Sequence, residues 1–425
     1  MPQRPARHVH AGCWCSRRDF LARGLYGIGV GAGLPFVLSR TSAVLAAQAL
    51  RGTSVETHPN RILVVIELSG GNDGLNTVIP FSDPAYHRAR PALAVRERDL
   101  IKVTEGFAFH PSMVGFERLY KDGLLAVVHG CGYDHPSLSH FSSMSYWHTG
   151  IPNGGEPLGW LGRLADEAYP AAARNVIVNV GTSQSLAVRG RQHSPLVFDD
   201  PARFRREGTD EEKRVLVEMS GARPVTTNPT LDFLASTAHN AAESSDFVRQ
   251  ASAAYRTPVD YGSGGGLGGN LQRVAALIAA KMPTRVYYVT YQGNAFDTHV
   301  QQADLHSRLL MYTADAVRGF MEDMKRIGRA DDVAAMIFTE FGRRVEENGS
   351  LGTDHGTATP MFIVGRGVKG GLHGRHPSLT DLDDGNMKMT TDFRRVYATV
   401  IEEWLGCTDT ASILKGRFEP LGVFA

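Results

Sequence analysis

The chain has 425 residues, a formal net charge of +1, 42% hydrophobic and 21% charged residues. That balance excludes a disordered or fibrous protein, and the length accommodates one large domain or two ordinary ones. A near-neutral chain offers no dominant basic surface, so nucleic acid is not an expected partner.

In chain order, the first stretch is "SRRDFLARGLYGIGVGAGLPFVLSRTSAVLAAQA", with Arg17-Arg18, Phe20-Leu21, a Gly-rich apolar run and a closing Ala47-Gln48-Ala49. A charged region, an apolar region and a small-residue cleavage site in that order read as an export signal. The paired arginines resemble the twin-arginine signal. Residues 1–49 are therefore expected to be a signal peptide and 50–425 a single domain, located in the periplasm or outside the cell. The apolar run is shorter than the ~20 residues a membrane-spanning helix needs, and no membrane span is expected in the mature chain. Removing 1–49 takes away six Arg and one Asp and leaves the remainder near −4.

The next element, "RILVVIELSGGNDGLNTVIP", opens with the apolar run Ile62 to Leu68 and breaks at Gly70-Gly71. Short β-branched runs ending in glycine read as buried parallel strands that open into a loop. Similar runs follow at Leu124–Gly130, Asn175–Gly181, Arg285–Tyr291, Asp332–Gly342 and Pro360–Gly365. Helical periodicity separates them, in "HPSMVGFERLYKDG" with Gly123 as C-cap, at Asp232–Tyr255, Leu271–Lys281 and Gln301–Lys325, and in "TDFRRVYATVIEEWLG", capped by Thr391 or Asp392 and ended by Gly406. Alternating strands and helices predict an α/β domain with a mostly parallel sheet flanked by helices. The glycine run Tyr261–Asn270 reads as a joint between two helices; no strand precedes it and no Lys-Ser or Lys-Thr follows, as a phosphate loop requires.

Ligands of open parallel sheets bind beyond the carboxyl ends of the strands. Those ends deliver Asn72-Asp73, "GYDHPSLSHFSSMSYWHTG", "QGNAFDTH" and "TEFGRR", and the last strand is preceded by "GTDHG". Each cluster alone also reads as turn chemistry. Together Asp73, Asp297, His299, Glu340, Asp354 and His355 form a mixed oxygen and nitrogen donor set, suited to zinc or manganese as divalent cofactor. Of four cysteines, Cys13 and Cys15 fall in the signal; Cys131 and Cys407 remain, to pair or to stay free, and a cysteine-based structural zinc site is excluded.

The motifs "ELSGGNDGLNTVIP", "SHFSSMSYWHTG", "FDTH", "TEFGRRVEENGSLGTDHG" and "TDFRRVYATVIEEWLG" resemble those of the family called domain of unknown function 1501, and more broadly the alkaline phosphatase and sulfatase superfamily. The resemblance implies an alkaline-phosphatase-like fold and, residue by residue, a set of roles. Asp73, Asp297, His299, Asp354 and His355 would hold metal. Ser139, with Ser137 as rival, would be the nucleophile, although either serine also reads as a helix cap. Glu340 would be a ligand or a base, and Arg343 would grip an anion. The Asp297-to-His299 spacing, and Glu340 where the superfamily has an Asp-His pair, depart from the superfamily pattern. None of Cys131, Ser137 and Ser139 has the downstream Pro and Arg of formylglycine sulfatases. The expected function is an exported metal-dependent hydrolase acting on a small anionic ester, of phosphoester type rather than sulfate. The alternative is a binding or assembly protein that has lost turnover on the same scaffold.

Overall fold

The computed structural model describes residues 58–425 except 59, 171–172, 205–208, 210, 212–213, 215–228, 263–265 and 292; the expected signal peptide lies outside the described residues. Strand β1 is Ile62–Leu68, followed by helices α1 (Pro84–Ala89) and α2 (Val114–Lys121), strand β2 (Leu125–Gly132), helices α3 (His140–Thr149) and α4 (Trp160–Ala168), and strands β3 (Ile177–Val180) and β4 (Leu196–Phe198). Then come α5 (Pro229–Ala254), α6 (Gly266–Ala279), β5 (Val286–Tyr291), α7 (Gln302–Arg326), β6 (Val333–Phe338), β7 (Thr359–Gly365), β8 (Gly371–His373) and α8 (Phe393–Thr399).

The main sheet runs β8-β2-β7-β6-β1-β5-β3-β4, and Thr391–Asp392 adds a short pairing on β2. All neighbours are parallel except β7, which is antiparallel to both β2 and β6. That single reversal positions the site, because the segment entering β7 lies at the same edge as the carboxyl ends of β1, β5 and β6.

Both faces of the sheet are covered, which is why Ile62 to Ile66 of β1 reads as an unbroken apolar run rather than an alternating one. Ile62, Val64, Ile66 and Leu68 pack in one layer with Leu271, Leu277, Leu310 and Phe320 of α6 and α7. Leu63 and Val65 face the other layer, with Trp147, Trp160, Tyr397 and Trp404. Full burial of each such aliphatic side chain stabilises the fold by about 1.5–3 kcal/mol. Glu67 continues the second face and is only 5% exposed, a buried acid in an apolar strand.

Two expected boundaries differ. Helix α6 begins at Gly266, inside the glycine run read as a joint. The C-terminal helix is not uniform: Thr391–Asp392 is extended, Asp392 caps Arg394 N–H at 2.9 Å, and α8 passes into a π-helical turn at Val400–Trp404. Cys131 and Cys407 are both buried and form no disulfide with each other. Among the described residues, no helix is long and apolar enough to cross a membrane.

Candidate functional site

Four loops meet at the carboxyl edge. After β1, Gly70 takes φ +119°, and a Cβ there would come within 2.5 Å of Asp297 N. This close approach brings the β1 loop against the loop after β5, whose Phe296 N–H bonds Ser69 O at 3.1 Å. After β6, Gly342 and Arg344 pair with Gly356, Thr357 and Asp354 on the segment entering β7, so that Arg343 and His355 sit opposite each other. The fourth contribution is the start of α3, which carries His140.

These elements converge on Asp297. One ligand atom each from His140, Asp297 and His355 lie within 4.8 Å of one another. Asp297 Oδ1 is 3.0 Å from His299 Nε2 and 3.2 Å from His355 Nε2, and Asp297 Oδ2 is 3.3 Å from His140 Nε2. The Nε2 atoms of His299 and His355 face each other at 2.9 Å.

The opposite ring nitrogens determine which atoms carry protons. His140 Nδ1 is 2.8 Å from Glu340 Oε1, His355 Nδ1 is 2.8 Å from Leu138 O, and His299 Nδ1 is 3.3 Å from Asp354 Oδ1. Carboxylates and carbonyls only accept, so each Nδ1 carries a hydrogen, and each ring, when neutral, turns its Nε2 lone pair toward Asp297. Outer partners that fix the tautomer in this way are the usual support of metal-bound histidines. Arg343 already brings one cation to this point, with Nη2 2.8 Å from Asp297 Oδ1 and Nη1 3.4 Å from His299 Nε2; the His140 and His355 lone pairs still face the carboxylate, an arrangement that a proton or a metal ion relieves. His140 Nε2 is moreover buried without a hydrogen-bond partner. The residues therefore fit a divalent ion with nitrogen and oxygen ligands.

Electrostatics agree with this donor set. Burial pushes the Asp297 carboxyl up, but its hydrogen bond to Arg343 and the charge of that guanidinium, with His355, outweigh burial and hold it at about 2. The hydrogen bond to Glu340 raises His140, whereas burial lowers His355.

The sequence-predicted residues divide into two groups. Asp297, His299, His355, Asp354 and Glu340 meet at the cluster, the last two behind the imidazoles rather than among the converging atoms. Glu340 Oε1 also accepts Gly70 N–H at 2.8 Å. Asp73 is engaged elsewhere: fully buried, it accepts from Arg90 Nη1 and Gln302 Nε2, both at 2.6 Å. Arg343 is buried with its donors on Gly71 O, Thr353 O, Gly70 O, Phe296 O and Asp297, so it ties loops together and neutralises Asp297 from within. Its expected role as a grip for an anion finds no free donor here.

Ser139 is the exposed N-cap residue of α3, and its hydroxyl makes no capping bond. Ser137 Oγ accepts Ser139 N–H at 3.3 Å, a local turn contact. His140 was missed by sequence reasoning although it follows Ser139 directly; an imidazole in the first turn of a strand-end helix was the available signal. His306 is buried and bonded to Asn72 Oδ1 at 2.9 Å, away from the cluster's contacts.

Two cavities flank the cluster, and Glu340 lines both. One, of about 700 Å³, includes Asp134, Asp383, Asp384 and Lys388 in its wall. The other, of about 320 Å³, runs beside α3 and includes His140 itself. The acidic wall of the first repels anions, so the second is the better approach for an anionic ligand.

A family model described as "Protein of unknown function (DUF1501)" matches residues 60–417. No curated protein matches the chain. Among solved structures the chain is similar to a protein in the alkaline phosphatase superfamily from Vibrio parahaemolyticus, with TM-score 0.35 and 9% identity, over 75% of this chain and 63% of that one. It is similar to the zinc-complexed C-terminal periplasmic domain of EcEptC from Escherichia coli, with TM-score 0.33 and 12% identity, over 73% and 74% of the two chains. The PsFucS1 sulfatase from Pseudoalteromonas sp. matches with TM-score 0.36 and 10% identity, over 91% and 75%.

Proposed function

We propose, from the premise that this chain belongs to the DUF1501 family, that it is an exported metal-dependent hydrolase of phosphoesters or related anionic esters. The observation that carries the proposal is the common orientation of three imidazoles, each fixed through Nδ1 so that Nε2 faces Asp297. His140, His299, His355 and Asp297 would hold a divalent ion, with zinc or manganese matching the donors. Bound there, the ion supplies Lewis-acid polarisation of the ester oxygen.

The chain's own residues do the rest. Glu340 and Asp354 hold His140 and His299 in the donating tautomer, and the Leu138 carbonyl does so for His355. Arg343 keeps Asp297 ionised. Ser139 is the proposed nucleophile: its hydroxyl is exposed, free of capping duty and adjacent to His140, at the helix end that favours an anion. Ser137 is the weaker candidate because its hydroxyl serves the turn.

The test is metal analysis of protein purified without chelator, followed by assay of phosphomonoesters, phosphodiesters and sulfate esters with zinc and manganese. The expected result is about one metal ion per chain, lost in His140→Ala and Asp297→Asn, with phosphoester turnover lost in Ser139→Ala and retained in Ser137→Ala. A folded protein that takes up no divalent ion overturns the proposal. The alternative, a periplasmic binding or assembly protein, is favoured by the engagement of Asp73 with Arg90 and of Arg343 with backbone carbonyls. Metal binding without turnover of any ester selects that reading. Export by the twin-arginine route predicts that Arg17→Lys with Arg18→Lys leaves the protein in the cytoplasm.

A further inference from the structure

The cavity beside α3 has a second polar end that the hydrolase reading does not use. His148 lines it eight residues beyond His140, a separation of about 12 Å along the helix. Behind His148 lies Glu67, the buried acid of β1. His148 Nε2 is 2.7 Å from Glu67 Oε2, and the Tyr288 hydroxyl also donates to that carboxylate. A buried carboxylate is costly without such partners. Burial, with the charge of Glu67, pushes the Tyr288 phenol well up, so it stays a donor.

This arrangement fixes the histidine. Because Glu67 only accepts, Nε2 carries a hydrogen, and Nδ1 is the ring nitrogen left for a ligand. Its complement in a ligand is a hydroxyl, which both donates and accepts. Between the two polar ends Met144 and Leu186 line the wall with Phe141, which is 92% exposed, alongside the small polar side chains of Ser69, Ser145 and Asn294. A single exposed aromatic is ordinary, but one on the wall of a cavity of about 320 Å³ presents a flat stacking face. That volume is within the roughly 300–1,000 Å³ of small-molecule sites.

We propose that the groove along α3 is the alcohol subsite of the centre, taking an organic phosphoester whose ring stacks on Phe141 and whose hydroxyl hydrogen-bonds Nδ1 of His148. The inference rests on the hydrolase reading and extends it, since it names what lies on the leaving side of the ester. His148 is a specificity residue here, too far from the cluster to share its reacting atoms.

The experiment compares phenyl phosphate with 4-(hydroxymethyl)phenyl phosphate on the metal-loaded full chain, with inorganic phosphate as inhibitor. The hydroxyl-bearing ester is expected to have a kcat/KM about fivefold higher, the size of one ordinary hydrogen bond. In His148→Phe that ratio falls to about one. In Phe141→Ala the KM of both esters rises about tenfold relative to the inhibition constant of phosphate, and this surface variant decides the matter should His148→Phe not fold. Turnover without any hydroxyl preference, or a preference that survives His148→Phe, overturns the groove while leaving the hydrolase standing. Should no ester turn over, dissociation constants for the same three compounds are read instead. A preference lost in His148→Phe then supports the groove against a failed hydrolase, and absence of binding by all three sinks both.

Discussion

Nδ1 of His140 lies 2.8 Å from Oε1 of Glu340, and that oxygen also accepts Gly70 N–H at 2.8 Å. One carboxylate oxygen thus couples the orientation of a candidate ligand on α3 to the loop that follows β1. The other oxygen, Oε2, accepts from Thr339 Oγ1 at 2.9 Å. Glu340 is only 1% exposed, so its position is fixed by these contacts rather than by solvent.

Replacing Glu340 separates charge from geometry. Glu340→Gln keeps an oxygen for both donors and loses only the charge, whereas Glu340→Ala frees the His140 ring. Loss of such an outer partner typically weakens metal binding about 10–100-fold. Zinc titration against a competing chelator dye should place Gln at the low end of that range and Ala at the high end. Equal affinities in wild type and Ala would remove Glu340 from the account.

Gly70 should tolerate no side chain. At φ +119°, a Cβ would meet Asp297 N at 2.5 Å and Asn294 O at 2.7 Å, both backbone atoms that cannot swing aside. Gly70→Ala is expected to cost upwards of about 1 kcal/mol in stability. It should also weaken zinc binding through Asp297, whereas Gly349→Ala, where a Cβ meets nothing within 4 Å, should leave zinc affinity intact.

The Asp73–Arg90 pair has a structural role in this fold, and breaking it should be severe. Both side chains are fully buried at 2.6 Å, with Arg90 also bonded to Asn76 Oδ1 and to the carbonyls of Arg344 and Val345. Arg90→Met leaves a buried carboxylate with Gln302 as its remaining side-chain donor, a loss of about 3–5 kcal/mol. Urea melts of Arg90→Met, Asp73→Asn and the double variant should show the double to be less damaged than the sum of the singles.

The same pair sets a pH dependence. Burial alone would push the Asp73 carboxyl up, but Arg90, with His306 and Gln302, brings it down to about 2 from an ordinary 3.8. A folded-state value below the unfolded one means that the stabilisation is fully present above about pH 4. It is lost as pH falls toward about 2, and amounts to about 2 kcal/mol. Unfolding free energies measured across that window should fall more steeply in wild type than in Asp73→Asn; parallel slopes would refute the assignment.

What the sequence determined by itself is the part governed by local periodicity and turn chemistry. Runs such as Ile62–Leu68 bury on both faces wherever the chain goes, and glycine with polar residues after them marks the edge where loops gather. The group at Asp297, His299, Asp354 and His355 was legible for that reason. Glu67 is a lone acid in the Ile62–Leu68 run, and its partners His148 and Tyr288 come from distant elements.

The tertiary structure alone decided which polar residues meet. The reversal of β7 brings Asp354 and His355 to the common edge, and strand direction follows from long-range pairing with β2 and β6 that no local pattern encodes. Asp73 occupies a strand-end position as Asp297 does, yet it pairs with Arg90, 17 residues on. His140, next to Ser139, joins the cluster because Glu340, 200 residues away, holds its ring. A side chain's role depends on the partner that satisfies its charge or hydrogen bond, and such partners are chosen by packing across the fold.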